Sequence, residues 1–304
     1  MSSTSVYKME ELNINSLSDG VIFIFAPSEE VRSTAAIKNI CKYNIKLTKI
    51  VIINYGNTIL PDCIKDYRDI IINIKVTKSP VDFINNLKKI SASFMTGNIV
   101  LDITCIHVPE MFTLIKFLKM QSVFSSMDAV YSLPNNYIFN EEPFTSYKSF
   151  VGDLKMIEPL GFSGTKRNSE IDLFLFIGFE GPLALKVVED CSFRNLNLVN
   201  SLPSFFPKYK DIANINNYQL MQYSSRTIFV PADNPFETYN MLSEFENNNT
   251  EFCIAPLSTK PIALGVCLFA LDNESVRVVY PISENYNMNT TRETYKTYLY
   301  HIDF

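Results

Sequence analysis

Along the first half of the chain, short runs of apolar residues alternate with segments whose apolar residues recur at the spacing of one helical face. The apolar runs predict β-strands within Val21–Glu30, Lys49–Asn57, Ile70–Val76 and Asn98–Ile103, and the helical spacing predicts helices over Val31–Tyr43, Ser79–Ile90 and Pro109–Met120. Strands that are apolar throughout and alternate with amphipathic helices are typical of a parallel sheet covered on both faces. The pattern therefore predicts an α/β fold with a mainly parallel, Rossmann-like sheet.

The second half of the chain repeats landmarks of the first half in the same order. The segment DLFLFIGFEG resembles VIFIFAPSEE, and FCIAPLSTKPIALG resembles IVLDITCIHVPEMF. The matched landmarks are Glu29 with Glu180, Asn54 with Asn200, Pro80 with Pro235, and Pro109 with Pro261. The offsets are nearly constant, which predicts an internal duplication with two similar Rossmann-like halves. The alternative is that any α/β chain repeats strand followed by helix.

The same pattern divides the chain into four segments. We expect residues 1–20 to be a flexible N-terminus, 21–130 the first Rossmann-like half, 131–170 an extended linker, and 171–304 the second half. The linker prediction rests on a stretch rich in Pro, Asn, Ser, Tyr and Gly. The C-terminal segments VRVVYPISENYN and TYKTYLYHIDF are expected to be closing strands that complete the second sheet.

Composition narrows the class of partner. Of 304 residues, 47% are hydrophobic and 19% charged, and the net charge of −5 provides no basic field for duplex nucleic acid or an anionic membrane. The longest apolar runs are shorter than the roughly 20 residues that span a bilayer. The six cysteines are spread singly without a CxxC pair, which favours a reducing, cytoplasmic setting.

Several familiar signatures are missing from the sequence. It contains no GxGxxG, Walker A or HExxH motif and no cluster of His and Cys at metal-ligand spacing. We therefore expect no metal site and assign no cofactor.

Candidate chemistry lies where polar residues interrupt the apolar strands. Open parallel sheets bind ligands outside the carboxyl ends of their strands, where the strand order reverses. Four strand-end turns carry such residues, and the proposed duplication pairs them: SEEVR with GFEG, and DITCIHVPE with STK.

In the first half, each candidate has a ligand-binding and a structural interpretation. Asp102 and Thr104 would contact a ligand or cap the following helix. His107 would bind a ligand or make a structural hydrogen bond. Glu29 and its counterpart Glu180 would hold a ribose hydroxyl or act as an acid or base, or cap a helix.

The remaining candidates are cationic or hydroxyl-bearing. Arg32 would meet a phosphate or form a surface ion pair with Glu29. Ser258, Thr259 and Lys260 precede an apolar helix, where backbone N–H groups, hydroxyls and an ammonium would bind an anion. A lysine at a helix N-terminus opposes the helix dipole, which favours a functional role over a solvated turn.

The turn PLSTK, with Thr259 and Lys260, resembles the strand-end motif of CARF-type Rossmann-like nucleotide sensors, although Leu257 and Ser258 replace its two glycines. That resemblance implies binding of cyclic oligoadenylates and a role in prokaryotic antiviral defence. The motifs SEEVRS, LDIT, GFSG, GFEG and PLSTK together also resemble an uncharacterised group of bacterial α/β proteins.

Three functions fit these observations. The first is a cytoplasmic binding protein or sensor for a nucleotide or oligonucleotide-like anion, held at strand ends between the two halves. The second is a hydrolase or transferase acting on a nucleotide or sugar phosphate, with Asp102 or Glu180 as the general base and Lys260 stabilising charge. The third is an interaction subunit that docks a protein partner through exposed Tyr and Phe.

Overall fold

The structure, a computed structural model, forms two compact units. It describes residues 6–7, 20–56, 60–77, 79–90, 97–121, 124–138, 150–164, 171–246, 252–286 and 291–304. Unit 1 comprises residues 1–138 together with 288–304, and unit 2 comprises residues 139–287. Most of the expected flexible N-terminus lies outside the described residues, as do 139–149 and 165–170 of the expected linker.

The elements alternate between strand and helix, as the sequence pattern predicts. The strands are β1 (Val6–Tyr7), β2 (Val21–Phe25), β3 (Leu47–Asn54), β4 (Ile71–Lys75), β5 (Asn98–Asp102), β6 (Ser126–Tyr137), β7 (Phe150–Ile157), β8 (Asp172–Phe176), β9 (Leu196–Ser201), β10 (Arg226–Val230), β11 (Phe252–Pro256), β12 (Arg277–Val278), β13 (Tyr280–Tyr286) and β14 (Thr291–Asp303). The α-helices are α1 (Ala35–Lys42), α2 (Pro80–Ile90), α3 (Val108–Met120), α4 (Gly181–Asp190), α5 (Pro207–Asn216), α6 (Tyr218–Tyr223), α7 (Pro235–Glu246) and α8 (Lys260–Asp272), and 3₁₀ helices span Val31–Thr34 and Asp62–Ile70.

Unit 1 contains a seven-stranded sheet in the order β1-β14-β6-β5-β2-β3-β4. The five strands from β6 to β4 are parallel, whereas β14 runs antiparallel to β6 and β1 runs antiparallel to β14. Every residue of β2 is fully buried: Phe23 and Phe25 pack with Ile37 and Ile40 of α1, and the alternate residues of the strand are equally inaccessible. Both faces of the sheet are therefore covered, as the continuous apolar run predicts.

Unit 2 contains a five-stranded, wholly parallel sheet in the order β10-β9-β8-β11-β12. A separate antiparallel pair, β7 with β13, belongs to the same unit. The residues of β8 are buried throughout, and Leu173 and Leu175 pack with Ala184 and Val187 of α4.

The parallel strands of the two units have the same order relative to the chain. When the five parallel strands of each unit are numbered in chain order (β2 to β6 in unit 1, β8 to β12 in unit 2), the second and third strands lie on one side of the first, and the fourth and fifth lie on the other side. This is the order 3-2-1-4-5 of a Rossmann-like half. The mixed α/β class and the mainly parallel sheets are confirmed. The internal duplication itself stays a prediction.

Two expectations about the segments differ from the structure. The last strand, β14, pairs along its length with β6 and so belongs to unit 1, instead of completing the second sheet. The expected linker contains the second half of β6 and all of β7. Both differences have one physical cause: the partner of a strand is set by long-range backbone pairing, which local composition does not encode.

In the part of the chain that the structure describes, no helix combines the length and apolarity that crossing a membrane requires.

Candidate functional site

Each unit has one point at which the strand order reverses. In unit 1 this point lies between β2 and β5, and in unit 2 it lies between β8 and β11. The polar turns that the sequence singles out follow these four strands, so each pair of turns lies at the carboxyl edge where open parallel sheets bind ligands.

In unit 1 the turn after β2 carries a buried ion pair. Arg32 Nε donates to Glu30 Oε2 at 2.6 Å, and a guanidinium Nη1 donates to the carbonyl of Ser132 at 3.4 Å. Both charged residues are less than one-tenth exposed. Since the carboxylate largely neutralises the guanidinium, this ion pair presents no net charge to a ligand.

The neighbouring Glu29 is exposed, so the carboxylate that the turn directs inward is Glu30. Ser28 and Ser33 fix this geometry: Ser28 Oγ accepts from the Glu30 amide at 3.2 Å, and Ser33 Oγ donates to the Ser28 carbonyl at 3.1 Å. The ion pair expected at Glu29 therefore forms at Glu30, and in the interior.

Asp102, the last residue of β5, has one satisfied and one unsatisfied carboxyl oxygen. Its Oδ1 accepts from the Thr104 amide at 2.9 Å. This bond stabilises the turn after β5 and does not cap the following helix, α3. Among the described residues its Oδ2 has no hydrogen-bond partner, and the residue is 2% exposed. Burial raises the pKa of Asp102 to about 7, although the hydrogen bonds from Thr104 and the charge of Arg32 oppose the rise.

Thr104 and Cys105 connect this carboxyl group to the rest of the site. Thr104 Oγ1 accepts from the Ser132 amide of β6 at 2.9 Å, and the Cys105 sulfur lies 3.9 Å from Glu30 Oε2. Burial raises the pKa of the Cys105 thiol to about 11, so the thiol stays protonated and is not a nucleophile at neutral pH. Arg32, Asp102 and Thr104 are therefore brought into one buried cluster.

A second contact network fixes the start of α3. The hydroxyl of Tyr55 accepts from the His107 amide at 3.0 Å and donates to Glu110 Oε2 at 3.5 Å, and the rings of Tyr55 and His107 stack with centroids 4.0 Å apart. Burial, reinforced by the Glu110 carboxylate, raises the pKa of Tyr55 well above its usual range. His107 thus occupies the N-cap position of α3, and its contacts with Tyr55 fix the loop between β5 and α3. These contacts favour a structural role for His107 over ligand binding.

In unit 2 the turn after β11 begins α8. Thr259 is the N-cap: its hydroxyl accepts from the Ile262 amide at 3.5 Å and donates to the Ala232 carbonyl at 2.8 Å. The hydroxyl of Ser258 lies 3.3 Å from that of Ser201, at the end of β9. Lys260 is the first residue of α8 and is partly exposed, so hydroxyls, helix N–H groups and an ammonium occur within three consecutive residues.

The turn after β8 packs directly against this one. Gly178 faces the carbonyl of Leu257 so closely that a β-carbon would collide with it. Asn216 and Asn217 hold the turn from the other side, donating to the carbonyls of Phe179 at 2.5 Å and Gly178 at 2.9 Å.

Glu180 is the N-cap residue of α4, and its side chain makes no capping hydrogen bond. In unit 1, Glu30 is the N-cap residue of the first 3₁₀ helix, and the pairing of Glu29 with Glu180 stays a prediction.

Sequence reasoning missed Glu30, Tyr55, Asn216 and Asn217. Glu30 lies in the turn SEEVR, where only its i,i+2 spacing to Arg32 indicates the pair. Tyr55 and the two asparagines act across the fold, so no local signal identifies them.

Among the described residues, no three or more His, Cys, Asp or Glu side chains are arranged to hold a metal ion.

Comparison with known proteins gives no family. No family model matches the chain, and no curated protein matches it. A universal stress protein from Archaeoglobus fulgidus DSM 4304 is 10% identical with a TM-score of 0.23, over 88% of this chain and 97% of that one. An N-terminal ketoreductase from a macrolactin assembly line is 9% identical with a TM-score of 0.24, over 90% of this chain and 70% of that one.

Proposed function

We propose that the protein binds a nucleotide or oligonucleotide-like anion at the strand-end turns of unit 1. The single observation that carries this proposal is Oδ2 of Asp102, which has no hydrogen-bond partner among the described residues and is buried at the point of strand-order reversal in unit 1. A buried acceptor without a donor costs about 1–3 kcal/mol, so its retention at a ligand-binding position calls for a donor from outside the chain.

The chemistry of the unit 1 cluster favours an uncharged donor. Arg32 is neutralised by Glu30, and the carboxyl group of Asp102 titrates near neutrality. A phosphate gains little from such a site, whereas a ribose hydroxyl or the amino group of a base provides the donor that Asp102 lacks.

The unit 2 turn has a different chemistry. The hydroxyls of Ser258 and Thr259, the first N–H groups of α8 and the ammonium of Lys260 suit a phosphate. We therefore propose that the unit 2 turn binds a phosphate group by itself, independently of the nucleoside contact in unit 1.

The biological setting is part of the same proposal. The resemblance of PLSTK to the turn of CARF-type sensors makes a cyclic oligoadenylate the first oligonucleotide to test, in a bacterial antiviral role.

The proposal is tested by native mass spectrometry of the purified full-length protein, followed by calorimetric titration with AMP, ATP, cyclic oligoadenylates and inorganic phosphate. We expect a nucleotide to bind more tightly than phosphate, and Asp102→Asn to weaken binding about tenfold, equivalent to about 1.4 kcal/mol. Asp66→Asn, at an exposed carboxylate of the same unit, is the matched control. Equal affinity for nucleotide and phosphate would contradict the assignment of unit 1.

A second candidate function is supported by the pKa of Asp102. A carboxyl group that titrates near pH 7 is suited to act as general acid or base at neutral pH, which fits a hydrolase or transferase acting on a nucleotide or sugar phosphate. Catalysis predicts that Asp102→Asn retains most of the ligand affinity and loses turnover. Binding without turnover in the wild type would leave the sensor function as the better one.

A further inference from the structure

An asparagine and an arginine form a polar contact at the amino edge of the unit 2 sheet, opposite the strand-end turns. Asn197 is the second residue of β9 and Arg226 is the first residue of β10, and the two are register partners. Arg226 Nε donates to Asn197 Oδ1 at 2.7 Å. Asn197 is 1% exposed, whereas Arg226 is an exposed residue. The contact therefore connects the interior of the sheet to its surface.

The side-chain amide of Asn197 has one satisfied and one unsatisfied group. Because Oδ1 accepts from Arg226, the orientation of the amide is fixed: exchanging its two polar atoms would place an N–H donor against another N–H donor. The remaining Nδ2 is buried and has no acceptor among the described residues. A buried donor without an acceptor is costly, since it has lost its hydrogen bonds to water. The amide therefore presents a donor that an acceptor from outside the chain can satisfy.

The guanidinium of Arg226 carries an uncompensated charge. In the part of the chain that the structure describes, no carboxylate forms an ion pair with it, whereas Arg194 of the same unit pairs with Asp172. Its Cζ lies over the Phe245 ring, 4.5 Å from the ring centroid, which restrains the guanidinium. Since Nε is occupied by Asn197, the Nη groups are the donors that remain for a ligand.

Aromatic rings border these two donors. Phe174 of β8 is the register partner of Asn197 on its other side, so Arg226, Asn197 and Phe174 form one row across the sheet with their side chains on one face. The rings of Phe174 and Phe245 meet edge to face, with centroids 4.9 Å apart. A ligand bound to the guanidinium is therefore next to aromatic surface as well as to a cation.

We propose that Asn197 and Arg226 form a binding site for the carboxylate of a small aromatic acid. One carboxylate oxygen accepts from the Nη groups of Arg226, the other accepts from Asn197 Nδ2, and the aromatic ring of the ligand packs against Phe245. The single uncompensated charge of the site matches the single charge of a carboxylate, whereas a phosphate group carries about −1.5 to −2. The site lies at the opposite edge of the sheet from the strand-end turns, so its test does not depend on nucleotide or phosphate binding there.

The test is NMR titration of the isotope-labelled full-length protein with benzoate, benzamide, acetate and inorganic phosphate. Benzamide keeps the ring and removes the charge, and acetate keeps the charge and removes the ring. We expect benzoate to cause saturable shifts at the first residues of β9 and β10, and each of the other probes to bind about tenfold more weakly because it loses one kind of contact. Benzamide or phosphate binding as tightly as benzoate, shifts confined to other parts of the chain, or no saturation with benzoate would each overturn the proposal.

Two variants assign the contacts to the two residues. Asn197→Asp keeps the size of the side chain but gives Arg226 a carboxylate partner, so we expect it to abolish benzoate binding. Arg226→Gln removes the cation at an exposed position, where folding is preserved, and is expected to weaken benzoate binding about tenfold. Arg194→Gln is the matched control and is expected to leave the affinity unchanged, since Arg194 pairs with Asp172 in the same unit. Unchanged benzoate affinity in folded Arg226→Gln would overturn the proposal, whatever the stability of Asn197→Asp.

Discussion

Arg32 Nε lies 2.6 Å from Glu30 Oε2 in the interior of unit 1, at the carboxyl end of its first parallel strand. Only one residue separates the partners along the chain, so the turn itself brings a cation and an anion together in a buried place. Removing one charge leaves the other unpaired away from water, which costs far more than loss of an exposed ion pair.

The first prediction concerns this ion pair. Glu30→Gln and Arg32→Met are each expected to lower the free energy of unfolding by about 3–5 kcal/mol, while the double variant recovers much of that loss because no charge remains unpaired. Urea denaturation measures all three. Lys65→Gln, in the exposed pair with Asp62, is the control and is expected to leave the free energy of unfolding nearly unchanged. Additive losses in the double variant would show that the two charges are not coupled.

The second prediction concerns the pH dependence that Asp102 imposes on stability. Its folded-state pKa, about 7, lies above the ordinary 3.8, so the folded chain holds the proton more tightly than the unfolded chain. The stabilisation is complete below about pH 4 and is lost as the pH rises through about 7, with a total of up to about 4 kcal/mol from a shift of about three pKa units.

Asp102→Asn mimics the protonated acid and should remove this pH dependence. We expect the variant to be close to the wild type at pH 4 and more stable than the wild type at pH 8, by urea denaturation at both values. Asp66→Asn should follow the wild type at each pH. Parallel stability curves for Asp102→Asn and the wild type between pH 5 and 8 are incompatible with a raised pKa.

The position of this cluster could be predicted from the sequence because apolar runs determine where strands end. Asp102 and Thr104 interrupt a buried strand, and Arg32 follows another, so all three lie at the carboxyl edge of one sheet. Which of Glu29 and Glu30 pairs with Arg32 could not be predicted, since it depends on the backbone angles of a single turn.

Contacts between residues far apart in the sequence also could not be predicted from local patterns. The last strand, β14, pairs with β6, although its alternation of polar and apolar residues fits an edge position in either unit. Tyr55 reaches His107 across 52 positions, and only the folded sheet places the two side by side.

The third prediction concerns Tyr55. Tyr55→Phe removes the hydroxyl that accepts from the His107 amide and donates to Glu110, and it should cost about 1–2 kcal/mol of stability. Hydrogen exchange should accelerate at the first turn of α3 in particular. Tyr43→Phe, at a tyrosine that is 55% exposed, is the matched control and should change neither quantity. Unchanged exchange at α3 in Tyr55→Phe would show that the stacked rings suffice to hold the helix start.

The fourth prediction concerns Gly265, within α8. A β-carbon there would collide with the carbonyl of Pro235 and with Thr238 Cβ, so the backbones of α7 and α8 approach closely only because this residue is glycine. Alanine favours a helix by about 1 kcal/mol, but overpacking costs about 1–3 kcal/mol, and a backbone carbonyl cannot rotate away. Gly265→Ala should therefore lower the denaturation midpoint, and a raised midpoint would show that the two helices separate freely.

The fifth prediction separates capping from ligand binding at Thr259. Its hydroxyl accepts from the Ile262 amide and donates to the Ala232 carbonyl, so Thr259→Ala should cost about 1 kcal/mol of stability, while Thr259→Ser keeps the hydroxyl and costs less.

If the turn binds phosphate, Thr259→Ala also weakens nucleotide binding by about tenfold and Thr259→Ser leaves it nearly intact, as measured by calorimetry below the unfolding temperature of each variant. Thr238→Ser, at a buried threonine of α7 outside the turn, tests whether a general loss of packing lowers affinity. Full affinity in Thr259→Ala, together with the expected loss of stability, would restrict this residue to its role as a helix cap, because an intact ligand contact cannot coexist with loss of the group that makes it.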